Sequence, residues 1–211
     1  MNILALGDSF TYGEELEDKN HAWPSVLANM LAATVDNLGR PSGGYRQVVA
    51  NAITSILSYD LVVIGWPSPG RIEFGDEGGV FDIWPGMTAG FVTNSTPWRK
   101  SLVDYYTRHH SDDYILQQFL IDVILLQNFI KQHNIKCVMT MTMTPQKNHY
   151  INVANTANQQ LMAAVDWGMF IDGQQGGMDL WTTGVAHGPG GHFLTDGHLL
   201  IANKFYEHIR H

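Results

Sequence analysis

The stretch MNILALGDSFTYG ends a short apolar run on Gly7-Asp8-Ser9. A serine at the end of a strand is a candidate nucleophile, but its hydroxyl needs a base to take the proton and donors to hold an oxyanion. Candidate bases come late in the chain, where His187, His192 and His198 fall within twelve positions of AHGPGGHFLTDGHLL. The same cluster, with Asp196, raises a metal site, although His187-x4-His192-x5-His198 follows no standard zinc spacing. Asp196 and His198 lie about 200° apart on a helix and would not pair with each other. Trp66 and Arg71 follow the third apolar run. An arginine there suits an anionic substrate group or an oxyanion, or else a surface pair with Glu73 or Glu77. The plainer reading of Ser9 is a helix N-cap, and that of Asp8 a turn carboxylate that organises backbone N–H groups.

The elements that must position these residues read as alternating strands and helices. Five short apolar runs, Asn2–Leu6, Thr34–Leu38, Leu61–Gly65, Ile135–Met141 and Met169–Ile171, are continuous, as in strands covered on both faces. Helical spacing follows Pro24, runs over Tyr45–Leu57, is strongest over Tyr114–His133, and recurs over Val153–Val165 and Thr195–Ile209. The pattern predicts one domain over residues 1–211, a three-layer α/β/α sandwich with a five-stranded, mostly parallel sheet. Ligands of such sheets bind beyond the carboxyl ends of the strands, where Ser9, NLGRPSGG and GWPSPGR fall. Residues 67–113, dense in Gly, Pro and aromatics, show no sustained period and read as a long loop that either packs on the core or serves as a lid or substrate wall.

Composition excludes several classes. With 12 Lys+Arg against 20 Asp+Glu the net charge is -8, and the basic residues form no run, so nucleic acid and anionic membranes are not expected partners. Cys137, the single cysteine, sits in IKCVMTM and reads as a small core residue with no internal disulfide. The sequence shows neither a signal-peptide pattern nor a run of transmembrane length, which suggests a soluble protein, cytoplasmic or released by lysis. No glycine-rich phosphate loop opens a helix after the first strand, which argues against a flavodoxin-like nucleotide binder.

GDSFTYG resembles the first block of the GDSL/SGNH hydrolases, and His192-Phe-Leu-Thr-Asp-Gly-His198-Leu-Leu-Ile-Ala202 resembles their last, commonly His-Pro-Asn-x-x-Gly-His/Tyr-x-x-Ile-Ala. GEELEDKNHAWPSVLANML and NLGRPSGG are similar to the stretch between the first two blocks, particularly in phage-encoded members. The resemblance implies a flavodoxin-like SGNH fold and hydrolysis of an ester, on a small molecule or a carbohydrate, with no metal or organic cofactor. It implies Ser9 as nucleophile, His192 as base, and the N–H groups of Ser9 and of Ser42 or Gly43, according to register, as oxyanion donors. His198 falls on a packing and capping position. Two family positions depart: Pro67 stands where an asparagine would donate to the oxyanion, and Pro189 where an aspartate would orient the histidine. Arg71 is the expected substitute for the first. Asp179, or a backbone carbonyl in a Ser–His dyad, is the substitute for the second. The rival reading is a non-catalytic binding or structural protein, virion-associated if phage-encoded, on the same scaffold.

Overall fold

A computed structural model gives the fold and describes residues 1–76, 79–84, 87, 97–144 and 156–210. The chain runs through β1 (Asn2–Gly7), the single turn α1 (Ser9–Tyr12), α2 (Trp23–Met30), β2 (Thr34–Asn37), α3 (Tyr45–Ser55) and β3 (Leu61–Trp66). A hairpin of β4 (Ile72–Asp76) and β5 (Gly79–Ile83) follows, and then α4 (Pro97–His109). The rest comprises α5 (Asp112–Gln132), β6 (Lys136–Met141), α6 (Thr156–Ala164), the short α7 (Met178–Trp181) and α8 (Thr195–Arg210).

The main sheet has the order β2-β1-β3-β6 and is parallel throughout. Its registers bring Gly7 beside Gly65 and Trp66 beside Met141, so the carboxyl ends of three strands share one rim. Side chains alternate between two cores, as the period of a strand requires. Leu4, Leu6, Val62, Ile64 and Met139 pack on α3 and α5, whereas Ile3, Ala5, Val63 and Val138 pack on α2 and α8. Helices on both faces explain why β1 and β3 are apolar without a break. The Trp23 ring of α2 stacks on Phe205 of α8 at 4.6 Å, which joins the helices of the second face.

The helices start where their residues dictate. Ser111 caps α5 by accepting from Tyr114 N–H at 3.3 Å, and Asp112 and Asp113 oppose the positive end of the helix dipole. Pro24 falls in the first turn of α2, where its missing N–H costs nothing.

Two expectations need correction. The fifth strand shrinks to one parallel bridge, Met139 to Phe170, because Asp166 caps a tight turn over Trp167–Met169 and so removes Met169 from any ladder. The long loop is also not structureless where it is described. Residues 72–83 form the β4–β5 hairpin, and 97–109 form a helix whose Val103 and Tyr106 pack with Ile83 and Ile115. The remainder of the suggested lid, and residues 153–155 of the expected sixth helix, lie outside the described residues.

Candidate active site

Gly7 ends β1 under Gly65. A Cβ on Gly7 would meet the Gly65 carbonyl at 2.7 Å as well as the Thr11 side chain, so only glycine lets the chain turn here. Asp8 then caps α1, with Oδ1 accepting from Phe10 N–H at 3.0 Å, and Ser9 takes the first helical position. An N–H at that position has no intrahelical acceptor and is free for another. Gly13 closes the turn with φ 81°, its N–H donating to Ser9 O. Ser9 is 2 % exposed and its orientation is therefore fixed.

His192 meets Ser9 from the other end of the sequence. Its Nε2 lies 3.0 Å from Ser9 Oγ, and its ring packs against Phe10 with centroids 4.9 Å apart. Nδ1 lies 2.9 Å from Glu15 Oε2. Glu15 also accepts from His192 N–H at 3.0 Å and from Gly190 N–H at 2.7 Å. These two backbone bonds and the imidazole hold the Glu15 carboxyl below its ordinary range. Glu14 Oε2 is 3.6 Å from Nε2, so a second carboxylate borders the ring.

The glycines of HGPGGH are what let the backbone wrap this carboxylate. A Cβ on Gly188 would stand 2.6 Å from the Glu15 carboxyl carbon, and one on Gly190 would stand 3.0 Å from Oε2. Gly191 turns with φ 85°. Pro189 thus belongs to a turn shaped around an acceptor that comes from elsewhere. Glu15 is not among the carboxylates expected from sequence, because it stands 177 residues from the histidine it meets. The signal available was GEE itself, two acids closely following the serine turn. Asp179 is engaged differently: it accepts from Thr144 N–H at 2.7 Å and Thr144 Oγ1 at 3.1 Å.

On the opposite side of the serine turn, Arg71 Nη1 lies 3.2 Å from Asp8 Oδ2. Among the described residues its ion partner is Asp8, and not Glu73, one of the two alternative surface partners; Glu77 lies outside the described residues. The pair is close without being aligned as a hydrogen bond, so Arg71 Nη1 has no hydrogen-bond partner among the described residues. Burial pushes the Asp8 carboxyl up, while Arg71, Phe10 N–H and His192 oppose the rise. Trp66 is fully buried and packs edge-on to Phe119 at 5.5 Å, which makes it a core residue and not a wall of the site.

The two register choices in the second block differ in structure. Gly43 N–H donates to Arg40 O at 2.9 Å and is occupied. Ser42 turns with φ 60°, and its N–H has no acceptor among the described residues. The loop is fixed from outside by Glu73 of β4, which accepts from Gly44 N–H at 3.2 Å and Gln47 N–H at 2.9 Å and so caps α3. Arg40 joins Glu73 at 2.7 Å to Asp82 of β5, also at 2.7 Å, and hydrogen-bonds Gln47.

The three late histidines do not converge. His198 is buried, its Nδ1 accepting from Trp23 N–H at 3.1 Å, and burial holds its pKa down at about 4. His187 bridges to Phe193, and no cluster of three His, Cys, Asp or Glu suited to a metal occurs among the described residues. Burial raises the Cys137 thiol far above its ordinary value, which leaves it unreactive. No helix among the described residues is long and apolar enough to cross a membrane.

No protein-family model matches the sequence, and comparison with curated proteins finds no match. Solved structures do match over nearly the whole chain. The TesA structure shares 14% identity, covers 100% of this chain and 98% of its own, and has a TM-score of 0.61. A protein assigned to the lipolytic G-D-S-L family from Desulfitobacterium hafniense DCB-2 shares 12% identity, 98% coverage of both chains and a TM-score of 0.54. The acetyl xylan esterase AlAXEase shares 13%, covering 99% of this chain and 100% of its own, with a TM-score of 0.54. At such identities the likeness is one of fold: the chain has the α/β/α fold of the GDSL/SGNH hydrolases.

Proposed function

We propose that the protein is a serine esterase that cleaves a carboxylic ester by acyl transfer through Ser9. The observation that carries this reading is the relay Ser9 Oγ–His192 Nε2 at 3.0 Å and His192 Nδ1–Glu15 at 2.9 Å. With Nδ1–H donated to Glu15, Nε2 is left as the acceptor for the serine proton. Ser9 Oγ attacks the ester carbonyl while its proton passes to Nε2. The oxyanion is met by the N–H groups of Ser9 and Ser42, with Arg71 as the neighbouring cation. His192 then gives the proton to the departing alkoxide, which leaves as the alcohol. Water attacks the acyl–serine, its proton returns through His192, and the acid leaves with the Ser9 hydroxyl restored. Glu15 stabilises the imidazolium that forms in each half.

The non-catalytic alternative drew its force from Pro67 and Pro189. Glu15 stands on the imidazole where the aspartate is missing, and Arg71 stands by the serine turn where the asparagine is missing. Both supports are supplied from other positions of the chain. That the structural neighbours TesA, AlAXEase and the G-D-S-L protein include esterases and lipolytic proteins agrees with the reading. The deciding experiment treats the protein, Ser9→Ala and His192→Ala with a fluorophosphonate probe and a panel of 4-nitrophenyl acyl esters. Labelling and turnover present in the wild type and lost in both variants are expected. A wild type that behaves like Ser9→Ala in every assay would sink the reading.

A further inference from the structure

Arg71 also lines a cleft whose other lining residues take no part in the steps above. It has a volume of about 380 Å3 and lies among the first turn of α3, the start of β4 and the α4–α5 pair. Tyr45, Tyr105, Tyr114 and His109 line it together with two arginines, Arg46 and Arg71. Among the described residues no aspartate or glutamate lines it, in a chain whose net charge is -8. Arg71 links the lining of the cleft to the serine turn, its buried Nη1 standing 3.2 Å from Oδ2 of Asp8, the residue that precedes Ser9. Arg46 lies over the Tyr45 ring, 6.0 Å from its centroid. Asp122 of α5, raised by burial against the pull of Arg46, stays outside the lining.

Tyrosine faces accept rings and their hydroxyls accept or donate hydrogen bonds. Guanidinium groups bind carboxylates through paired N–H donors, and more strongly in a walled cleft than on an open surface. We propose that this cleft is a subsite for a ring that carries a carboxylate, on one part of the ester substrate, with the arginines on the charge and the tyrosines on the ring. The substrate assignment rests on the esterase reading of Ser9; the binding of the anion does not.

Two matched ester pairs place the charge on either side of the scissile bond: phenyl acetate with 4-carboxyphenyl acetate, and phenyl benzoate with phenyl 4-carboxybenzoate. In one pair the carboxylated member is expected to have a kcat/KM about tenfold higher, the size of one charge-assisted contact. Arg46→Ala is expected to erase that preference through KM and to leave the uncharged esters within about twofold. Benzoate and benzamide titrated into Ser9→Ala, followed by NMR shifts, read the subsite without turnover, and benzoate is expected to bind about tenfold tighter. Equal binding of the two, with no preference in either ester pair, overturns the subsite while turnover of the neutral esters still upholds the esterase. Preferred binding of benzoate with no ester cleaved by the wild type keeps the subsite and removes the esterase.

Discussion

His192 and the 40–44 loop both adjoin the β1–α1 turn, His192 at Ser9 and the loop through Arg40 N–H to Gly7 O, yet they are held in opposite ways. On the base side one carboxylate, Glu15, receives the imidazole and two backbone N–H groups. On the side of the proposed oxyanion donors Arg40, Glu73, Asp82 and Gln47 share their bonds among two strands, a loop and a helix. Arg40 is held above its ordinary pKa by Asp82 and Glu73 despite its desolvation, and Asp82 is raised by burial against the pull of Arg40. A single acceptor gives exact orientation with nothing in reserve, while a shared network tolerates the loss of a member. Single substitutions should therefore cost far more on the first side than on the second.

The largest effect is expected from Glu15→Gln, which keeps the shape and removes the charge that stabilises the imidazolium. Steady-state kinetics should show kcat lower by about 10^3-fold to 10^4-fold with KM little changed. A loss below tenfold would make Glu15 a scaffold residue only. Next comes the frame behind the base. His198 is held at about 4 from its ordinary 6.5, so the unfolded chain takes a proton that the folded one refuses. The stability it supports is complete above about pH 6.5 and falls as pH drops towards 4, by about 3 kcal/mol in total. Urea unfolding at pH 7 and pH 4 should show this loss, and His198→Gln should lack most of it.

Gly188→Ala tests the same side sterically, because the added methyl meets the Glu15 carboxyl. A displacement of that size should lower kcat by about 10^2-fold while the protein stays folded by circular dichroism. The smallest effect belongs to the oxyanion side. Glu73→Ala uncaps α3 and is expected to cost about 1 kcal/mol of stability and less than about tenfold in kcat, read by thermal melts and kinetics. If its kcat loss equalled that of Glu15→Gln, the contrast between the two sides would fail.

The sequence showed the scaffold where burial is two-sided and periodicity long: β1, β3 and α5 stood out because continuous apolar runs and an unbroken helical stripe leave few alternatives. It showed Ser9 and His192 because short motifs with glycines mark both turns. Glu15 left no such mark, since a carboxylate that acts across the fold needs no fixed spacing from the histidine it orients. Phe170 failed as a strand because a three-residue run is decided by the cap before it, here Asp166. The β4–β5 hairpin was hidden for the opposite reason: its ion pairs to Arg40 are made between segments that no local pattern links. Pro67 and Pro189 read as losses in sequence, although Arg71 reaches Asp8 and Glu15 reaches His192 from other elements.

Glu15 and His192 are 177 residues apart in sequence, and Ser9 and His192 are 183 apart. The loop that this contact closes is long, and closure of long loops comes late in folding. During synthesis Ser9 therefore emerges long before His192, and the proposed nucleophile has no base until α8 docks. On the proposed mechanism activity would report completed folding: its recovery after dilution from denaturant should lag behind the return of helical signal.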